Sequence, residues 1–186
     1  MFQQNTYQKN YTYNLFSRMR LAWLQHVYWT RLLLVSIAER LKDQDATTAR
    51  LLQNPYDIAE IFGQFYGRDA AAKIAQLLTE HLKIGADLIT ALRDKKTAES
   101  NALNAAWYKN ADKMAEAFAG INPYYNKDEL RRMLYHHLQL TTQEVAMRLT
   151  GNYTADIAAF GKVEQEALEM ADYFTMGLER AFRDRH

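Results

Sequence analysis

The sequence predicts an all-α protein, an antiparallel bundle of four long helices with additional short ones. Three observations carry this. Apolar residues recur at i, i+3, i+4 and i+7 through most of the chain. No run alternates apolar and polar residues or gathers β-branched ones as a strand would. The punctuation at Asn54-Pro55, Gly67, Gly120 and Gly151 falls between the periodic segments, where helix ends belong.

The first long helix is expected from about Asn14 to Leu41, on the stripe Leu15, Met19, Ala22, His26, Trp29 or Thr30, Leu33, Ile37 and Leu41. "ATTARLLQN" reads as a short helix stopped at Asn54-Pro55, because the residue before a proline is pushed out of the helical region. Pro55 then suits the first turn of another short helix that closes near Gly67. A long helix follows over about 69–95, with Ile74, Leu77, Leu78, His81, Ile84 and Leu88 inward. The next spans about 98–119 with Leu103, Trp107, Asn110, Met114 and Phe118 inward, and Gly120 before "INPYY" ends it. Asn126/Glu129 and Thr141/Glu144 each have capping-box spacing, which predicts two helices meeting near Leu140 and closed by Gly151. A final long helix over about 153–183 is expected to face inward through Ile157, Phe160, Glu164, Leu168 and Ala171.

At 186 residues, 48% of them hydrophobic, with no Gly/Ser- or Pro-rich linker, the chain suits one domain over 14–186 preceded by a polar tail or arm over 1–13. That opening is rich in Gln, Asn and Tyr, and Tyr7, Tyr11 and Tyr13 offer a secondary reading as partner contacts. Twenty-three Lys plus Arg against 22 Asp plus Glu leave a net charge of +1, with the basic residues scattered. Neither nucleic acid nor an anionic membrane is indicated as a partner. Cysteine is absent, which excludes disulfides, thiolate metal sites and cysteine nucleophiles. There is no apolar secretory segment, and the longest apolar run, near Leu32–Ala38, is interrupted by Ser36. A soluble cytoplasmic protein is expected, with a small ligand and a second copy of the chain left open as partners.

The functional argument rests on polar residues in apolar stripes. His26, His81 and Asn110 fall near the midpoints of successive long helices, Glu164 lies near that of the last, and His137 shares a stripe with Leu130, Leu134, Thr141, Glu144 and Arg148. Antiparallel helices of similar length bring their midpoints to one level. A central site is therefore expected, with His26, Glu80, His81, His137 and Glu164 as metal ligands for zinc, iron or manganese. Around it, Trp29, Arg31, Trp107, Asn110, Glu144 and Arg148 are expected to line a ligand pocket. Two further readings stand beside this: a neutral hydrogen-bond network that orders the helices, and an enzyme using the same layer for acid/base chemistry. Neither Glu-x-x-His nor HExxH occurs, and the contiguous Glu80-His81 diverges by about 100° on a helix. Asp156, Glu166 and Asp172 read as solvated, and no G-x-S-x-G announces a nucleophile.

The segments "WLQHVYWTR", "LLTEHLKIGADLI", "WYKNADKMAEAF", "INPYY", "HLQLTTQEVAMRLTGNY" and "ALEMAD" resemble a family of small all-helical bacterial proteins often given the automatic label acetylglutamate kinase, over roughly Trp23 to Gly177. More distantly, a bundle with inward His and Glu resembles the ferritin-like helical proteins, which implies a metal site at His26, Glu80, His81 and His137. The kinase label does not suit this sequence. An amino-acid kinase of that type implies an α/β fold with glycine-rich loops cradling phosphates, whereas the seven glycines here are isolated and no strand precedes them.

Overall fold

The computed structural model describes residues 2–184, with side chains from Asn14 to Asp184. Six helices make up the described residues: α1 (Phe2–Ala38), α2 (Gln44–Leu51), α3 (Asn54–Arg93), α4 (Thr97–Ile121), α5 (Lys127–Leu149) and α6 (Tyr153–Arg183). The all-α class is as the periodicity predicts, and no strand occurs among the described residues. None of the described helices is long and apolar enough to cross a membrane.

Several boundaries differ from expectation. Helix α1 runs back through residues 2–13, where the sequence suggests a tail or arm; the side chains of Tyr7, Tyr11 and Tyr13 lie outside the described residues. Helix α5 is continuous, so there are five long helices rather than four. Asn126 caps α5 as expected, its Oδ1 accepting from the Glu129 N–H at 3.0 Å, but Thr141 caps nothing. Its hydroxyl donates instead to the His137 carbonyl one turn back. The phase of α6 is also displaced. Its buried face is Asp156, Val163, Glu166, Ala167, Met170, Ala171, Phe174 and Leu178, while Ile157 is 64% exposed.

Helix α3 contains a reversal. Gly67 has φ 84° and ψ −179°, a conformation essentially restricted to glycine, and the two arms 54–66 and 68–93 fold against each other there. Gly63 approaches Ala71 so closely that a Cβ on it would lie 3.0 Å from the alanine Cβ. The first arm runs antiparallel to α1: Arg18 donates to Gln64 at 3.1 Å and His26 meets Asn54. The chain is thus three helical hairpins, α1 with 54–66, 68–93 with α4, and α5 with α6. Contacts between α1 and both α3 and α6, and between α4 and α5, close the ring.

The hairpins share a register. Asn54, Asn110 and Glu166 recur every 56 residues, as do Phe62, Phe118 and Phe174, with His26, His81 and His137 on the opposing helices. The three phenylalanine rings form a triangle with centroid distances of 5.0, 5.5 and 4.6 Å, and the three imidazoles another with 6.2, 5.9 and 6.3 Å. Two near-equilateral triangles, one from each set of helices, define an approximate threefold axis. The phenylalanines belong to the larger apolar core, with Met19, Trp23, Ile74, Leu130 and Met170. A second cluster, including Leu33, Leu51, Leu82, Ile89 and Val145, lies on the other side of the imidazoles. A polar layer is thereby held between two apolar ones.

The reversal and the close packing of α6 are testable with glycine substitutions. A Cβ at Gly177 would overlap the Tyr125 ring, whereas one at Gly161 meets nothing within 4 Å. Gly161→Ala should stabilise by about 0.5–1 kcal/mol, the helical preference of alanine over glycine. Gly67→Ala should cost about 1–3 kcal/mol, and Gly177→Ala should destabilise by displacing Tyr125. Urea unfolding of the three variants checks this ranking, and a stability-neutral Gly67→Ala would contradict the reversal.

Candidate metal centre

Each histidine is held in the same way. His26 Nδ1 lies 3.1 Å from Asn54 Oδ1, His81 Nδ1 lies 3.2 Å from Asn110 Oδ1, and His137 Nδ1 lies 2.8 Å from Glu166 Oε2. The amide groups are themselves fixed. Asn54 Nδ2 donates to the Ala22 carbonyl at 2.8 Å and Asn110 Nδ2 to the Leu77 carbonyl at 3.1 Å, in both cases four residues before the histidine concerned. With the NH₂ committed to a main-chain oxygen, each asparagine presents Oδ1, which can only accept, so Nδ1–H of the ring must donate. Glu166 imposes the same polarity on His137 as an acceptor. The nitrogen left to each ring is Nε2.

One nitrogen from each histidine lies within 4.8 Å of its counterparts, and all three side chains are buried. Burial pushes His26 down to about 3, assisted by repulsion from His137 and opposed by the Asn54 bond. His81 is likewise driven well below the ordinary imidazole value, by burial and then by His26 and His137. Both rings are neutral near pH 7, so their Nε2 atoms carry free lone pairs. Trp107 braces His81, donating Nε1–H to its main-chain oxygen at 3.1 Å with the rings 5.2 Å apart. A cavity of about 20 Å³ opens beside the triad on the side of the second apolar cluster, lined by Thr30, Leu82, Gly85, Ile89, Trp107 and Thr141 among others. It has room for about one water.

This donor set fits a metal ion. Three imidazoles, each oriented by an outer oxygen acceptor, are the arrangement that metal-binding histidines commonly adopt. Tetrahedral ligation at zinc–nitrogen distances near 2.0–2.1 Å places nitrogens about 3.3 Å apart, so the rings would draw together by roughly 1 Å on binding. Glu166 adds a further indication. Its Oε1 is buried without a hydrogen-bond partner, at the place where the asparagines of the other hairpins donate to the backbone. An unpaired buried carboxylate oxygen favours a nearby cation.

The structure brings together His26, His81, His137, Asn110 and Trp107 of the expected site. Glu80 is not among them: it is partly exposed, 3.5 Å from Lys113 on the outer face of α3 and α4. Glu164 also lies outside, accepting from the Tyr28 hydroxyl at 2.6 Å near the surface. Trp29 is turned away to meet the Arg50 guanidinium at 4.8 Å. Arg31, Glu144 and Arg148 form a neighbouring ion network rather than a lining of the cavity. Arg31 binds Asp156 through two bonds of 2.7 and 3.0 Å and Glu144 through one of 2.5 Å, while Arg148 reaches Asp156 and Glu39. Burial pushes Glu144 up to about 7 despite Arg31. In Asp156 the same burial is outweighed by Arg31 and Arg148, and the carboxyl is held below its usual range.

Asn54 and Glu166 are the site residues that helical periodicity does not reveal, whereas Thr30 stands on the α1 stripe as the alternative to Trp29. Asn54 reads as a stop signal before Pro55, and Glu166 as a solvated residue because the phase of α6 is misjudged by the exposed Ile157. The signal that finds the first two is the 56-residue recurrence of Asn54, Asn110 and Glu166 in step with the three phenylalanines. No protein-family model, curated protein or solved structure matches this chain.

The depressed histidines give the metal-free protein a defined pH dependence. Unfolded imidazoles bind protons below pH 6.5, whereas His26 resists until about pH 3, so the unfolded state holds the extra protons in that window. Stability is complete above pH 6.5 and falls as the pH drops. Between pH 7 and 5 His26 should remove about 2 kcal/mol, and His81 should act in the same direction. Urea unfolding in the presence of a chelator measures this, and His81→Gln should show a shallower slope by about one proton.

Proposed function

We propose that this chain is a zinc-binding helical-bundle protein whose centre is the triad His26, His81 and His137. The single observation that carries this reading is the common outward use of Nδ1, which leaves Nε2 to each of three buried rings that bring one nitrogen apiece within 4.8 Å of the others. Three imidazole nitrogens with no carboxylate among them suit zinc better than manganese, which favours oxygen ligands, and lack the carboxylate that completes the common two-histidine iron site. The same feature argues against the dinuclear carboxylate centre of ferritin-like bundles. Glu166 supports the assignment from outside the ligand set, since a carboxylate behind an imidazole raises its basicity and offsets part of the ion's charge.

A neutral histidine layer without metal is the competing reading, favoured by nitrogen separations of up to 4.8 Å before any contraction. Metal analysis of protein purified without an affinity tag separates the two. About one zinc per chain is expected; a metal-free protein that cannot be loaded would sink the proposal. Thermal unfolding adds a second measurement. A chelator should destabilise the wild type by about 2.7 kcal/mol, the effect of removing a ligand present at 100 times its dissociation constant. His81→Leu should be indifferent to the chelator. In a metal-free layer the wild type would be indifferent as well, and His81→Leu would merely strand Asn110.

A further inference from the structure

One helical turn beyond the histidines stand Thr30, Gly85 and Thr141, all lining the cavity. Thr141 is turned back onto its own helix, donating to the His137 carbonyl at 2.9 Å. Thr48, Thr90, Thr142 and Thr175 do the same, as threonines within helices commonly do. Thr30 does not: its Oγ1 is buried and has no hydrogen-bond partner. Gly85 contributes no side chain, and a Cβ there would lie 3.3 Å from Trp107. This level of the axis is therefore a void with one uncommitted hydroxyl at its edge. On the other side of the imidazoles the axis is closed by Phe62, Phe118 and Phe174.

We propose that the cavity is the fourth coordination position of the metal and takes one ligand of water size, a water molecule or a small halide ion, with Thr30 hydrogen-bonding it. This rests on the metal-centre reading above. Three protein ligands leave tetrahedral zinc one position short, and the only approach the phenylalanines leave along the axis is the side of Thr30. Size sets the class of ligand, because about 20 Å³ holds about one water. The walls reinforce it. Leu33, Leu82, Ile89 and Trp107 offer no donors to the outer oxygens of a tetrahedral oxyanion. Thr30 is a positioning residue, not a metal ligand: it satisfies its own buried hydroxyl by fixing the exogenous atom.

Cobalt(II)-loaded protein provides the test, with visible absorption reporting the coordination sphere. Fluoride should change the spectrum saturably, and phosphate should leave it unchanged. Thr30→Val should weaken fluoride about tenfold, the loss of one hydrogen bond to a charged ligand, while cobalt affinity stays the same. Thr30→Ser should restore fluoride binding. A fluoride-silent spectrum in loaded protein, or a Thr30→Val variant that binds fluoride as well as wild type, overturns the inference and leaves the metal centre standing. Failure of cobalt to bind at the triad overturns both.

Discussion

Burying three imidazoles at one level is the constraint on which the rest of the structure depends. An imidazole removed from water with an unbonded N–H costs of the order of 1–3 kcal/mol, so each ring needs an acceptor delivered from a neighbouring helix. Asn54, Asn110 and Glu166 supply it, and each must arrive at the height of its histidine. That requirement fixes the axial position of one helix against the next in all three hairpins. Apolar packing alone tolerates sliding by a turn; a ring nitrogen 3 Å from a single oxygen does not.

The third hairpin departs from the other two in a consistent direction. Where the first two place Asn54 and Asn110 beside the ring and Leu33 and Leu88 two turns along the histidine helix, the third places Glu166 and Glu144. Both carboxyls are buried, and Glu144 is accompanied by Arg31, itself shared with Asp156. Arg31 lies on α1, so this ion network also ties the last hairpin to the first and closes the ring of helices. Carboxyl groups are concentrated on one side of the axis, with a guanidinium beside one and an unpaired oxygen on the other.

Much of the architecture was legible in the sequence, because helical stripes and glycine punctuation are local signals. The histidines announced themselves as polar residues in apolar stripes, and Gly67 marked a helix end that proved to be a reversal. The acceptors were harder to see. Asn54 sits next to Pro55, where local chemistry suggests only a boundary, and its role depends on a chain reversal 13 residues later. Glu166 was hidden by phase: in a helix rich in alanine the few large residues mislead, and Ile157 and Leu168 suggested a face turned away from the true one. Glu80 was drawn into the site by standing next to His81, though about 100° per residue puts immediate neighbours on different faces, and Glu164 by the same misjudged phase of α6 that hid Glu166. The longer regularity at 56 residues lay outside the reach of any single-helix pattern.

The near-threefold arrangement invites comparison with an assembly of three separate, identical hairpins. In a homotrimer every substitution appears three times, so the axis must be lined by three copies of one residue. Carrying the three hairpins on a single chain removes that restriction. Thr30, Gly85 and Thr141 occupy equivalent places with a free hydroxyl, no side chain and a hydroxyl turned away. The scaffold keeps the symmetry that places three nitrogens about a point, while the space next to that point becomes lopsided, with its one free hydroxyl on the side of α1.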